Sequence, residues 1–232
     1  MAEKKLDYIE LIAAEGSALI SAVAQGPLDS TVPTCPGWDL RMLASHIGTT
    51  WTWSAAIVRE RLQAPAPYEM PELKDGEVVH YLERGLATLI DALGSCPLSA
   101  EVWSFGPRPR TAAFWHRRQA MEAVVHRVDA ELAIIEPADV TAPVAVDGIG
   151  EYVEVMIPRM HYQQDPPPGQ LTLTSTDTGD VWICGTPVGG EATLSGRAED
   201  LFLVLWGRRS EDLLLSGGDP AILAGWRALG AP

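Results

Sequence analysis

The sequence predicts an α+β fold: a four-helix bundle over residues 1–140, followed by a small α+β domain over residues 141–232. Three observations predict it. Apolar residues recur at helical spacing in four stretches separated by Gly- and Pro-rich breaks in the first part of the chain. The texture changes at Pro137, beyond which alternating runs such as Leu171-Thr-Leu-Thr-Ser-Thr read as strands. Apolar residues make up 47% of the chain, enough to bury a core in each part and to argue against disorder.

The elements follow in order. Leu6, Ile9, Ile12, Leu19 and Val23 share one face of a first helix, which Gly26-Pro27 ends. The run from Val32 to Gly37 is a rigid turn, and Asp39 is the expected N-cap of a second helix reaching about Leu62. Ala64 to Pro71 is a proline-rich loop. A third helix is expected from Asp75 to Leu93 and a fourth from Ala112 to Ile135. Four helices joined by loops pack most economically as a bundle. In the second part, a helix is expected from Tyr152 to Met160 and a linker from Gln163 to Gly169. Strands follow at Leu171–Thr176, Val181–Cys184 (paired across the turn-like Asp177–Asp180) and Ala192–Ser195. Ala198–Trp206 reads as a helix, Leu213–Ser216 as a short strand, and Pro220–Leu229 as a final helix with proline in its first turn.

Seventeen basic residues face 31 acidic ones, a formal net charge of −14. Such a chain repels phosphate backbones, so no nucleic-acid partner is expected. No stretch approaches the ~20 apolar residues of a membrane helix. The start Met-Ala-Glu-Lys-Lys-Leu-Asp lacks an apolar signal core. The expectation is a soluble, cytoplasmic protein with no membrane partner. Three widely spaced cysteines, Cys35, Cys96 and Cys184, argue against a disulfide framework or a thiolate zinc cluster.

Three side chains suggest chemistry. Glu122 and His126, four apart on the fourth helix, project from one face and can reach one ion. Asp129 lies near the same stripe, where it could orient His126. His46, among Leu43, Ile47 and Thr50, faces the interior if its helix's apolar stripe does. Two imidazoles and one carboxylate leave a fourth position open, the arrangement of a catalytic zinc. Equally, a Glu/His pair at this spacing is common on helices that bind no metal. Spacing alone leaves both readings open. A dinuclear site is disfavoured because the motif has no second copy, and the His-Glu-x-x-His motif of zinc proteases is absent. His80, His116 and His161 are expected at the surface. Trp38, Trp53 and Trp115 are expected to pack as core or pocket wall, and Cys35 to lie too early in the chain to reach an ion easily.

The run Val32-Pro-Thr-Cys-Pro-Gly-Trp-Asp-Leu-Arg-Met-Leu-Ala-Ser-His46-Ile-Gly resembles the N-terminal signature of the mycothiol-dependent maleylpyruvate isomerase family, a branch of the DinB-like bundles. Arg118-Gln-Ala-Met-Glu122-Ala-Val-Val-His126-Arg-Val-Asp129 resembles that family's second signature. The segment from Ala192 through Trp206-Gly-Arg208-Arg is similar to its smaller, sterol-carrier-like domain. The resemblance implies a DinB-like bundle in which His46, Glu122 and His126 hold a divalent metal, zinc by preference, with mycothiol as thiol cosubstrate.

A three-ligand zinc lowers the pKa of whatever fills its open position, so a bound thiol becomes a nucleophilic thiolate. The expected activity is therefore a metal- and mycothiol-dependent isomerase or S-transferase acting on an electrophilic small molecule. Arg208 is the first candidate for the cation that holds an anionic substrate, and Arg118 the second; a salt bridge is the plain alternative for each. Two other readings compete: a zinc-dependent hydrolase using metal-bound water, and a non-enzymatic protein binding a lipid or another small molecule.

Overall fold

The computed structural model describes residues 6–134, 137–161 and 165–230. The expected end of the fourth helix at Ile135 and the start of the expected linker at Gln163 lie outside the described residues. The chain forms two compact units, Met1–Ala138 and Asp139–Pro232.

The first unit is built from α1 (Tyr8–Gln25), α2 (Leu40–Arg59), α3 (Val78–Ser95) and α4 (Ala112–Leu132). Helix α1 packs on α3 and α4, and α2 packs on the same two, which closes a four-helix bundle. Asp7 caps α1 by accepting from the Ile9 and Glu10 amides, and Asp39 caps α2 by accepting from the Met42 amide. Helix α2 stops at Arg59, three residues short of the expected Leu62, and α3 is preceded by a single tight turn at Asp75–Glu77. Ile12, Leu19, Leu43, Ile47, Trp51, Leu82, Leu89 and Trp115 are fully buried between the helices. Helices α2 and α3 approach closely at glycines: a Cβ on Gly48 would lie 2.3 Å from the Tyr81 ring.

The proline-rich loop after α2 is strapped back onto that helix. Trp53 Nε1 donates to the Ala66 carbonyl at 2.8 Å, Ser45 Oγ to the Pro71 carbonyl at 2.7 Å, and Arg41 Nη1 to the Leu73 carbonyl at 3.2 Å. Each bond satisfies a loop carbonyl that would otherwise depend on water. Together they fix Tyr68, midway along the loop.

The second unit opens with α5 (Ala142–Glu151), which runs through a π-helical turn at Tyr152–Met156 into α6 (Ile157–His161). The expected helix began only at Tyr152. Gly148 and Gly150 look like helix breakers in the sequence, yet both are buried within α5. The sheet has the order β2-β1-β3-β4, with β1 Gln170–Ser175, β2 Val181–Gly185, β3 Glu191–Gly196 and β4 Leu215–Gly218. Strand β1 runs antiparallel to β2 and parallel to β3, and β4 is antiparallel to β3. Leu171 and Leu173 on β1, with Ala192 and Leu194 on β3, turn one face towards α7 (Ala198–Leu205) and α8 (Pro220–Arg227). Strand β4 starts two residues later than expected, because Glu211–Leu213 forms a tight turn first. The α+β architecture is the one the sequence predicts. Among the described residues, no helix is long and apolar enough to cross a membrane.

Candidate metal centre

Helix α4 supplies Glu122 and His126 from adjacent turns, and α2 supplies His46 from the neighbouring helix. Their donor atoms all lie within 4.8 Å of one another. His46 Nε2 is 3.5 Å and His126 Nε2 is 3.3 Å from the same oxygen, Glu122 Oε1. Donors held ~2.1 Å from a tetrahedral ion stand about 3.4 Å apart. The spacing therefore fits one small divalent cation, with two imidazole nitrogens and one carboxylate oxygen as its donors. The side chains are 23%, 15% and 11% exposed for His46, Glu122 and His126, so the cluster opens on the His46 side.

Both imidazoles are oriented through their other nitrogen. His126 Nδ1 lies 2.7 Å from Asp129 Oδ2, and Asp129 is fully buried. His46 Nδ1 lies 2.9 Å from the Tyr68 hydroxyl, which also hydrogen-bonds Thr50 Oγ1 at 3.0 Å. Burial pushes the Tyr68 phenol above its ordinary pKa, so it stays neutral beside His46. With Nδ1 engaged, each ring presents Nε2 to Glu122, the arrangement that fixes a metal-binding tautomer. The stripe position of Asp129 announces it in the sequence. Tyr68 carries no such signal, since it sits in a loop and reaches His46 only through the strap along α2.

The turn before α2 braces Asp129. Thr34 Oγ1 donates to Asp129 Oδ1 at 2.5 Å, and Cys35 Sγ lies 3.6 Å from Asp129 Oδ2. Cys35, Asp129 and His126 themselves bring donor atoms within 4.8 Å. Cys35 thus meets Asp129, the residue behind His126, and the bridge between Thr31 and Asp39 closes the turn that carries it. Trp38 packs on His46, with ring centroids 5.0 Å apart.

Charge inside the site is matched. Burial alone would raise the Glu122 carboxyl, but Arg118, His126 and His46 hold it well below the usual carboxylate range. Burial likewise opposes the His126 imidazolium, but Asp129 and Glu122 outweigh it and push its pKa up to about 9. Arg118 is 2% exposed and donates from Nη2 to Glu122 Oε2, leaving Oε1 to face the two imidazoles. Arg208 lies in the second unit, in the turn after α7, and donates to the Trp206 carbonyl.

Of the remaining histidines, His80 is exposed and His161 half-buried. His116 is buried, against expectation, and burial lowers its pKa. The reason is that α4 is enclosed on nearly all sides, its polar residues Arg118, Gln119, Arg127 and Glu131 included. No apolar stripe can then say which residues face inward. Trp53 and Trp115 stack edge-to-face at 5.3 Å within an aromatic group that includes Trp103 and Tyr68.

Comparison with known proteins was made against sequence families and solved structures. Residues 9–131 match the family profile described as "Mycothiol maleylpyruvate isomerase N-terminal domain", and residues 143–225 match that of the "MDMPI C-terminal domain". No curated protein matches the sequence significantly. Among solved structures, the crystal structure of a mycothiol-dependent maleylpyruvate isomerase superposes with a TM-score of 0.72 at 16% identity, covering 91% of this chain and 92% of that one. A histidine-to-alanine variant of that enzyme superposes equally well. At this identity the superposition speaks for the fold.

Proposed function

The chain belongs to the mycothiol maleylpyruvate isomerase family, and on that premise we propose that it is a metal- and mycothiol-dependent isomerase or S-transferase. The observation that carries the reading is the convergence of two imidazole nitrogens on one carboxylate oxygen, at the spacing one small divalent ion requires. A divalent ion held there, zinc by the preference of this donor set, would supply the positive charge that makes a bound thiol a thiolate at neutral pH.

The protein's own groups do the rest. His46 and His126 offer Nε2 lone pairs because Tyr68 and Asp129 engage their Nδ1 atoms. Glu122 offers Oε1 because Arg118 holds Oε2, which makes Arg118 a positioning residue. Arg208 is proposed as the anchor for an anionic substrate on the strength of its family-like Trp206-Gly-Arg208 segment. The exposed side of His46 is where thiol and electrophile would enter.

In the reaction, sulfur bonds to one carbon of an electrophilic alkene and the π electrons move to the adjoining carbonyl as an enolate. Rotation about the new single bond and expulsion of the thiolate restore the alkene as its other isomer. Protonation of the enolate by solvent, without expulsion, gives the S-conjugate instead.

The test is an assay of zinc-loaded protein against a panel of electrophiles that includes maleylpyruvate, with and without mycothiol. Turnover is expected only with the thiol present. Turnover without thiol would contradict the proposal and favour hydrolysis by a bound water.

A further inference from the structure

The first unit holds a cavity of about 660 Å³ that the chemistry above does not use. Cavities of this size take small organic molecules. It lies where the loop before α4 meets the loop after α2, and none of its described lining residues belongs to the metal cluster. The two loops are tied together: the Trp103 amide donates to the Leu62 carbonyl at 2.6 Å, and Gln63 Nε2 to the Glu101 carbonyl at 3.1 Å. The bridge between Glu101 and Thr111, with the Val102 amide donating to the Arg110 carbonyl at 3.2 Å, joins the two limbs of the loop before α4. Trp103 lines the cavity half-buried, its ring centroid 5.7 Å from that of Trp53 and 6.1 Å from that of Trp115.

Arg108 and Arg110 stand in the same lining, and both are exposed. In a chain with 31 acidic residues against 17 basic ones, an arginine readily finds a carboxylate. Arg41, Arg59, Arg118, Arg127, Arg209 and Arg227 each do. Among the described residues, none accepts from the guanidinium of Arg108 or Arg110. Two like charges that share one cavity gain from an anion between them. The first amides of α4 cannot serve that anion, since those of Ala112, Ala113 and Phe114 already donate to the Ala100, Leu98 and Thr111 carbonyls. Recognition therefore falls to side chains, among them the hydroxyl of Thr111, which makes no cap bond to α4. Glu101 is the one carboxylate of the described lining, so two guanidinium charges exceed it by one. A single negative charge matches that excess. The planar guanidinium fork suits a carboxylate, and the Trp103 indole offers an apolar wall to a ring.

We propose that this cavity binds a monoanionic aromatic carboxylate, with the carboxylate between Arg108 and Arg110 and the ring against Trp103. The site is separate from the metal centre and from the reaction proposed there.

Titration of the full-length protein with benzoate, followed by saturation-transfer NMR, tests this beside benzamide and acetate. Benzoate is expected to bind, and the other two at least about tenfold more weakly, since benzamide lacks the charge and acetate the ring. Arg108→Gln and Arg110→Gln each remove one guanidinium from an exposed position, so the fold should stand and benzoate should weaken by about tenfold. Arg84→Gln, which removes the same charge from an exposed position on α3, should leave binding unchanged, as should His46→Ala. No binding of benzoate, equal binding of benzamide or acetate, undiminished binding in the Arg108 and Arg110 variants, or an equal loss in Arg84→Gln or His46→Ala would each overturn the proposal.

Discussion

Tyr68 and Asp129 occupy equivalent places on the two histidines, yet only one of them can be read from the sequence. Asp129 sits three residues after His126 on the same helix, so its 2.7 Å contact follows from helical geometry. Tyr68 is 22 residues from His46 and meets it only because three side chains of α2 tie the loop down. Residues that orient metal ligands from behind are typically worth 10–100-fold in metal affinity. Tyr68→Phe and Asp129→Asn are therefore each expected to weaken zinc binding by about 10–100-fold, measured by competition with a chromophoric chelator. Asp129→Asn should do more harm, since Asp129 also receives Thr34 and Cys35. Wild-type affinity in both variants would mean the two contacts do not orient the rings.

At the scale of the element, α2 matters most, because it carries His46 and holds the loop. Its approach to α3 depends on Gly48, where a methyl group would meet the Tyr81 ring at 2.3 Å. Moving the ring strains its 2.9 Å hydrogen bond to Thr49 Oγ1. Overpacking of this kind costs about 1–3 kcal/mol, so Gly48→Ala is expected to lower the melting temperature and loosen the metal site together. A melting curve and a metal titration on the same sample check it. In the second unit, Asp177 Oδ1 accepts from the Ala198 amide at the start of α7 and from Ser175 Oγ, both at 2.8 Å. The Ala198 amide first, then Ser175, holds the Asp177 carboxyl below its ordinary pKa. A depressed carboxyl pKa adds stability that is complete above the unfolded value and disappears as pH falls through the folded one. Asp177→Ala should accordingly destabilise the protein near neutral pH. The gap to wild type should close in acid, as melting curves across pH will record. Helices α1 and α2 were legible because caps and apolar spacing agree, and α3 from its spacing alone. Helix α5 was not, since its glycines mask the signal that Thr141 and Pro143 offer at its start.

Across the whole molecule, the four-helix arrangement and the mixed sheet were legible from periodicity, while the contents of α4 and the cavity were not. Periodicity reports one buried face, and α4 is buried on nearly every side. A cavity depends on how side chains from several elements fail to fill a space, which no local pattern encodes. The metal triad falls between these cases. The Glu122/His126 pair follows from spacing, but His46 joins it only once α2 and α4 are packed. An ion bound between two helices stabilises their packing by mass action, by about 4 kcal/mol when its free concentration is 1,000 times the dissociation constant. Chelation should lower the melting temperature and added zinc should restore it. The most direct test of the account is the metal content of the purified, zinc-loaded protein beside His46→Ala, Glu122→Ala and His126→Ala. One zinc per chain in the wild type, lost in each folded variant, is the predicted result. Metal content unchanged in all three would contradict the assignment of the site.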